Sequence, residues 1–197
     1  MPSRLLTLMR FFFAFLCLLI AAASVVHAAP ASREESVFLF ENRKLTVTLP
    51  DGFGWATAKD EDGMVNIRLA DPKDRVSVEL RFLPDPESRM ANARARKELM
   101  NEMFNEFVGT STEKAMRFEE LQPQTGAGTY CVFTDASLVG KTTFPPGEYL
   151  HLTTGLKAWP GVVAVFRFFS RDTTSPEYEA VMKMLRESVH ERNVPLK

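Results

Sequence analysis

Cysteine is nearly missing from this chain, with only Cys17 and Cys131 in 197 residues. Once the N-terminal segment is set aside a single thiol remains, so no intramolecular disulfide can staple the fold and an apolar core must hold it. Histidine is equally scarce, at His27, His151 and His190, which leaves little imidazole for metal centres or acid–base pairs. No Asn-x-Ser/Thr triplet occurs, a small tilt toward a bacterial periplasm over a eukaryotic secretory route. The net charge is −1 and no basic stripe exists to neutralise phosphates, so nucleic acid is excluded as a partner class. Internal repeats and low-complexity tracts are also absent.

What is present begins with an address. Arg4 and Arg10 introduce the uncharged run from Phe11 to Ile20, and Ala21 to Ala23 lead to Val26-His27-Ala28, with small residues where a signal peptidase reads. This is the layout of a secretory signal peptide cut after Ala28. A retained anchor is the competing reading, because the uncharged stretch continues from Phe11 to Ser32. The apolar part nevertheless breaks into Ala, Ser and His short of the ~20 residues a membrane span requires. Leu16 ahead of Cys17 does not fit a lipid-anchor site. The expected organisation is a signal peptide over 1–28, a flexible mature N-terminus over 29–36, one α+β domain over 37–192 and a tail over 193–197. The product is expected to be periplasmic or secreted, with no transmembrane segment after cleavage and, having shed Arg4 and Arg10, mildly acidic.

Periodicity organises the rest. Val37 to Phe40 and Leu45 to Leu49 flank Glu41-Asn42-Arg43-Lys44 and read as a hairpin, which Pro50-Asp51-Gly52 and Gly54 terminate. Val65, Ile67 and Leu69, then Val76, Val78, Leu80 and Phe82, alternate with polar residues around the turn Asp71-Pro72-Lys73-Asp74, predicting antiparallel sheet with one wet or lightly covered face. Asp85-Pro86 opens a long helix with an apolar stripe of Leu99, Met100, Met103, Phe104, Phe107 and Val108, closed by Gly109. On that helix Arg89, Arg94, Arg96 and Lys97 precede Glu98, Glu102 and Glu106, an order that opposes the helix dipole and reads as a solvated face. Strands follow over Phe118–Leu121, Thr129–Leu138, Glu148–Leu156 and Val162–Ser170, punctuated by Pro/Gly turns at Phe144-Pro145-Pro146-Gly147 and Trp159-Pro160-Gly161. Ser175-Pro176-Glu177 starts a closing helix with Tyr178, Val181, Met182, Leu185 and Val189 on one face, stopped by Pro195. Consecutive strands, rather than strands alternating with helices, predict an α+β protein: an antiparallel sheet of about six to seven strands with two main helices packed on it.

Leu49-Pro50 followed by Trp55, a long helix after the strand pair, a three-strand meander and a last helix carrying Met184-Leu185-Arg186-Glu187-Ser188-Val189 together resemble the PsbP-like and DcrB-like fold. The resemblance runs from about Val37 to Arg192. It implies an antiparallel sheet between helices and accessory binding to larger partners without catalysis. It transfers no site residues.

The search for chemistry turns up little that converges. Cys131 and His151, on successive predicted strands, could meet as nucleophile and base of a thiol-dependent hydrolase; without a nucleophile turn or an orienting third group, Cys131 reads instead as a small core hydrophobe. Asp60-Glu61-Asp62-Gly63 fails as an EF-hand, because Ala58 and Leu69 fall where oxygen ligands are needed. Gly126-x-Gly128 lacks the remainder of a phosphate loop. Glu119-Glu120 and the Asp60/Asp62 pair read as solubilising charge, and no catalytic residue, metal or cofactor is assigned. Trp55, Phe144 and Trp159 remain as candidate partner-binding residues, each beside a Pro or Gly turn, either exposed together as a docking patch or folded back onto the core. The expected function is that of an exported, non-catalytic accessory or protein-binding domain, with an apolar-ligand or lipid carrier of the cell envelope as the alternative and the thiol hydrolase third.

Overall fold

Alternating apolar residues make strands in the computed structural model, which describes residues 32–194. The signal-peptide segment with its cut after Ala28, and the helix stop assigned to Pro195, lie outside the described residues. β1 (Arg33–Phe38) and β2 (Lys44–Leu49) form the opening antiparallel hairpin. Its tight turn puts Glu41 and Asn42 at φ 51° and 56°, the two positive values that a two-residue hairpin turn requires. β1 starts inside the stretch expected to be flexible. Its polar side chains are mostly exposed, so its order rests on backbone pairing to β2 and leaves no apolar alternation to read.

The main sheet has seven antiparallel strands. In chain order they are β3 (Gly54–Lys59), β4 (Val65–Ala70), β5 (Val76–Asp85), β6 (Glu119–Glu120), β7 (Ala127–Thr134), β8 (His151–Trp159) and β9 (Gly161–Ser170). Their spatial order is β3-β4-β5-β9-β8-β7-β6. β3 was not anticipated: Ala56, Thr57 and Ala58 carry no apolar rhythm because this edge strand is almost wholly exposed. Between β8 and β9 the chain reverses at Pro160-Gly161, where Trp159 pairs with Val162 and Gly161 takes φ 85°. Proline followed by a left-handed glycine is the chemistry of a type II turn. At Gly155, in the middle of β8, a Cβ would lie 2.4 Å from Thr129 O and 2.6 Å from the Phe166 ring, so only glycine fits.

Helix α1 (Ala93–Phe104) and helix α2 (Pro176–Glu187) lie over opposite faces of this sheet. α2 begins where Ser175-Pro176 directs it, with Ser175 Oγ accepting the Tyr178 amide. It ends at Glu187, not near Pro195: the chain turns at Ser188 and forms a short strand β10 (Val189–Glu191), which joins β2 to complete a three-stranded sheet in the order β1-β2-β10. His190, expected on the helix, therefore lies on β10. α1 likewise starts later than Asp85-Pro86. Asp85 does accept two amide hydrogens, from Arg89 and Met90, but these belong to a 3-10 turn over Arg89–Ala91, and Asn92 is the residue that caps α1 through Arg94 and Ala95.

One core lies between the main sheet, α2 and the small sheet, and includes Leu45, Val47, Ile67, Val78, Phe166 and Met182. A second lies beneath α1, with Met100, Phe104, Cys131, Phe133 and Leu156. Arg96, grouped above with the solvated face, is 3% exposed. Its guanidinium donates to Thr129 Oγ1, to the Met90 and Ala91 carbonyls and to Glu120, which ties α1 to β6 and β7. That full set of acceptors is what lets a charge sit in the interior.

Candidate functional site

The three aromatic residues singled out by sequence occupy separate places. Trp55, on edge strand β3, is half-buried against the larger core. Phe144 is half-buried in the connection that leads into the His151 end of β8. Trp159 stands at the other end of that strand, nine residues long and so roughly 27 Å from end to end. It is 5% exposed, with its indole N–H donated to Thr125 Oγ1 at 3.2 Å. The structure does not bring them into one patch.

Cys131 and His151 are not neighbours across the sheet either. Cys131 is opposite Thr154 and His151 opposite Thr134. Side chains three residues apart on a strand point to opposite faces, so the thiol enters the α1 core while the imidazole lies on the α2 side. Burial pushes the Cys131 thiol up to about 12, with the carboxylates of Glu113 and Glu119 adding to the effect. Such a thiol is inert as a nucleophile at neutral pH. His151 instead bonds to Thr134 Oγ1 at 3.1 Å, while Thr134 donates its hydroxyl and amide hydrogens to Glu113. Burial opposes the charge on Glu113, but those two donors hold its carboxyl below the ordinary value. With the threonine hydrogen committed to the carboxylate, His151 is the donor to the threonine oxygen. This chain of bonds fastens the segment after α1 to the end of the sheet.

Lys157, which no sequence pattern distinguished from the strand around it, is 0% exposed and has no carboxylate partner among the described residues. Its Nζ donates to Leu185 O at 2.5 Å and to Ser188 O and Oγ at 3.0 and 2.9 Å, and lies 4.6 Å from the Trp159 ring centroid. It caps the C-terminus of α2, where carbonyls lack partners and the helix dipole is negative. Burial pushes its ammonium down to about 7. Its hydrogens bind β8 to the end of α2 and to the turn at Ser188.

A concave surface with mixed chemistry follows one flank of α1. α1 packs on β7 and β8 and leaves the same face of β3 and β4 largely exposed, while on β5 Leu83 packs against the α1 core. Along the boundary run two successive clefts. One, of about 330 Å³, is lined by Leu83, Met90, Leu99 and Val163, with Arg89 and Glu87 at its rim. The next, of about 220 Å³, is lined by Met103 and Val165 together with Asn66, Arg68, Glu79, Arg81 and Arg167. Leu99 and Met103 are one helical turn apart, and Leu83/Arg81 and Val163/Val165 are alternate positions on β5 and β9, so the clefts form one groove. Arg68 pairs with Glu79 at 3.4 Å and Arg81 with Asp60 at 2.9 Å. Arg167 lies over the Phe104 and Phe107 rings at 5.8 and 5.9 Å. The polar half of this groove was legible as the wet positions of the β4 and β5 alternation. Its apolar wall was not, because Leu99 and Met103 share the stripe of Met100 and Phe104 and only packing shows which of them stay half-exposed.

Among the described residues no cluster of three or more His, Cys, Asp or Glu is placed to hold a metal ion, and no helix is long and apolar enough to cross a membrane. The chain matches no protein-family model and no curated protein.

Proposed function

We propose that this chain is an exported, non-catalytic accessory protein that binds a partner protein through the groove beside α1. One observation carries the reading: a single helix covers part of one sheet face, and beside it run two clefts lined by apolar side chains together with arginines and acids. An accessory role is also what the PsbP-like and DcrB-like resemblance implies. A photo-crosslinking side chain at Met103, on the mature chain incubated with envelope extract, should give a discrete adduct that the same group at the exposed position Val139 does not. Equal labelling from both positions would overturn the reading, as would efficient hydrolysis by the purified chain that is lost in Cys131→Ala.

The 330 Å³ cleft favours a second reading, an apolar-ligand carrier, because it reaches the ~300 Å³ at which small-molecule pockets begin. Native mass spectrometry of the freshly purified chain would then show a co-purified lipid. A ligand-free spectrum counts against it.

A further inference from the structure

β3 differs in character from the other sheet edges of the molecule, and from it we infer that the chain pairs with a second copy of itself, β3 against β3 about a two-fold axis. An edge strand offers unpaired N–H and C=O groups to any extended chain that arrives, so edges are ordinarily short, charged or interrupted. The other described edges fit that rule: β6 is Glu119-Glu120 alone, β10 is a short strand ending in Glu191, and β1 opens with Arg33, Glu34 and Glu35. β3 does not fit it. It reads Gly-Trp-Ala-Thr-Ala-Lys with no proline and no acid, pairs with β4 without a bulge, and among the described residues has no strand on its other side. Ala56, Thr57 and Ala58 are small and exposed, which leaves the strand open to another backbone. No β3 residue lines the clefts beside α1, so this pairing is separate from the groove.

The bonding of the β3–β4 hairpin fixes which groups this edge offers. Asp60 N donates to Met64 O at 3.0 Å, which makes these two a hydrogen-bonded pair, and in an antiparallel ladder such pairs alternate. With Ala58 opposite Asn66, Ala56 opposite Arg68 and Gly54 opposite Ala70, it is Ala58, Ala56 and Gly54 that bond to β4. Trp55, Thr57 and Lys59 therefore direct their N–H and C=O groups to the open side. These positions are symmetric about Thr57, so a second β3 laid antiparallel meets the first without offset. Thr57 opposes Thr57, and Trp55 opposes Lys59 on either side of it, each pair exchanging two N–H···O bonds.

The side chains agree with that register and select a second copy as the occupant. Trp55, Thr57 and Lys59 share one face, so each Lys59 comes opposite a Trp55 of the other copy, about 5.5 Å away between Cα atoms and within cation–π reach. Lys59 forms no ion pair of its own among the described residues. Ala56 meets Ala58 on the opposite face. No like charges face each other along the strand: Asp60 falls opposite Gly54, and Asp51, Glu61 and Asp62 lie in the turns beyond the strand ends. An isologous two-fold contact of this kind closes on itself and leaves no free edge at β3.

Two strands of this length bury less than the ~1,600 Å² of a standard interface, so the dimer is expected to be weak and to dissociate on dilution. Sedimentation velocity of the mature chain, diluted from about 1 mM, should show a monomer–dimer equilibrium; a chain that stays monomeric at that concentration overturns the pairing. Thr57→Cys sets two thiols opposite each other at about 5.5 Å between Cα atoms, within disulfide range, and mild oxidation should give a covalent dimer. Lys59→Cys leaves its two thiols roughly 14 Å apart along the strands and should not. Cys131 is buried and stays silent in both. Linking of both variants alike, or of neither, overturns the register. Thr57→Lys, at an exposed position, sets two ammonium groups against each other across the axis and should weaken the dimer at least tenfold. Thr57→Pro, which removes an N–H that β4 does not use, should do the same. Circular dichroism confirms that each variant is folded. Association unchanged in both means that another surface joins the copies, and overturns the assignment to β3.

Discussion

Single residues decide what this interior can do. Lys157 offers the sharpest test, because its buried ammonium is pushed down to about 7 while the unfolded chain titrates near 10.5. Between those values the unfolded state binds more protons than the folded one, so stability must rise with pH across that window. Urea midpoints taken between pH 6 and pH 10 should show the rise, and Lys157→Met should flatten it. Lys157→Ala should in addition lose about 3 kcal/mol, by opening a cavity and taking the lysine donor from the Leu185 and Ser188 carbonyls, which keep only Ser188 Oγ and Thr125 Oγ1. Cys131 gives a second test. A fully buried thiol pushed up to about 12 should resist a thiol reagent at pH 8 until urea unfolds the chain; rapid stoichiometric labelling of the native protein would mean that the α1 core opens.

At the scale of elements, the two helices depend on different signals. Ser175-Pro176 set the start of α2 locally, and that boundary was legible because cap and first-turn proline act within a few residues of each other. For α1 the same signal, Asp85-Pro86, was spent on a 3-10 turn, since β5 runs on to Asp85 in register with Gly161 and the chain must turn away from the sheet before a helix can form. Asn92 then takes the capping role. Asn92→Ala and Ser175→Ala should each cost about 1 kcal/mol by thermal or urea unfolding, whereas Asp85→Ala should loosen the 3-10 turn and the Met90 side of the groove. The late start of α1 is what places Met90 and Leu99 on the flank of the groove.

Across the whole molecule, loops are fastened by carboxylates that are charged at neutral pH. The Arg75 side chain beside Asp71 holds that carboxyl below the usual range, and the Tyr149 hydroxyl with the Gly147 amide does the same for Asp74. Arg75 also pairs with Glu177 on the first turn of α2, and Arg171 with Asp74. The β4–β5 turn is thereby tied to α2 and to the connection before β8. For depressed carboxyls the stabilisation is full above their ordinary values and is lost as pH falls through the lowered ones. The carboxyl contribution should therefore be lost as pH drops below about 4, on top of an earlier fall that begins near pH 6.5, because burial pushes His151 down and His190 down to about 4, so the unfolded chain binds those protons first. Asp71→Asn should cost about 2 kcal/mol at pH 7 and reduce the acid slope. An acid slope unchanged in that variant would remove the Asp71–Arg75 pair from the account.

The α+β class, the antiparallel pairing, the Pro160-Gly161 reversal and the apolar residues of β4, β5 and β9 follow from the sequence alone, because alternation, caps and turn chemistry act over a few residues. Tertiary structure decided which part of the sheet α1 covers, that β3 and β10 form at all, that Arg96 and Lys157 are interior, and that Cys131 and His151 face apart. Each of these depends on what a distant segment places against a residue. A strand with no apolar rhythm orders only when a neighbour pairs its backbone, and a buried charge is tolerated only when hydrogen-bond acceptors, several of them from distant segments, converge on it.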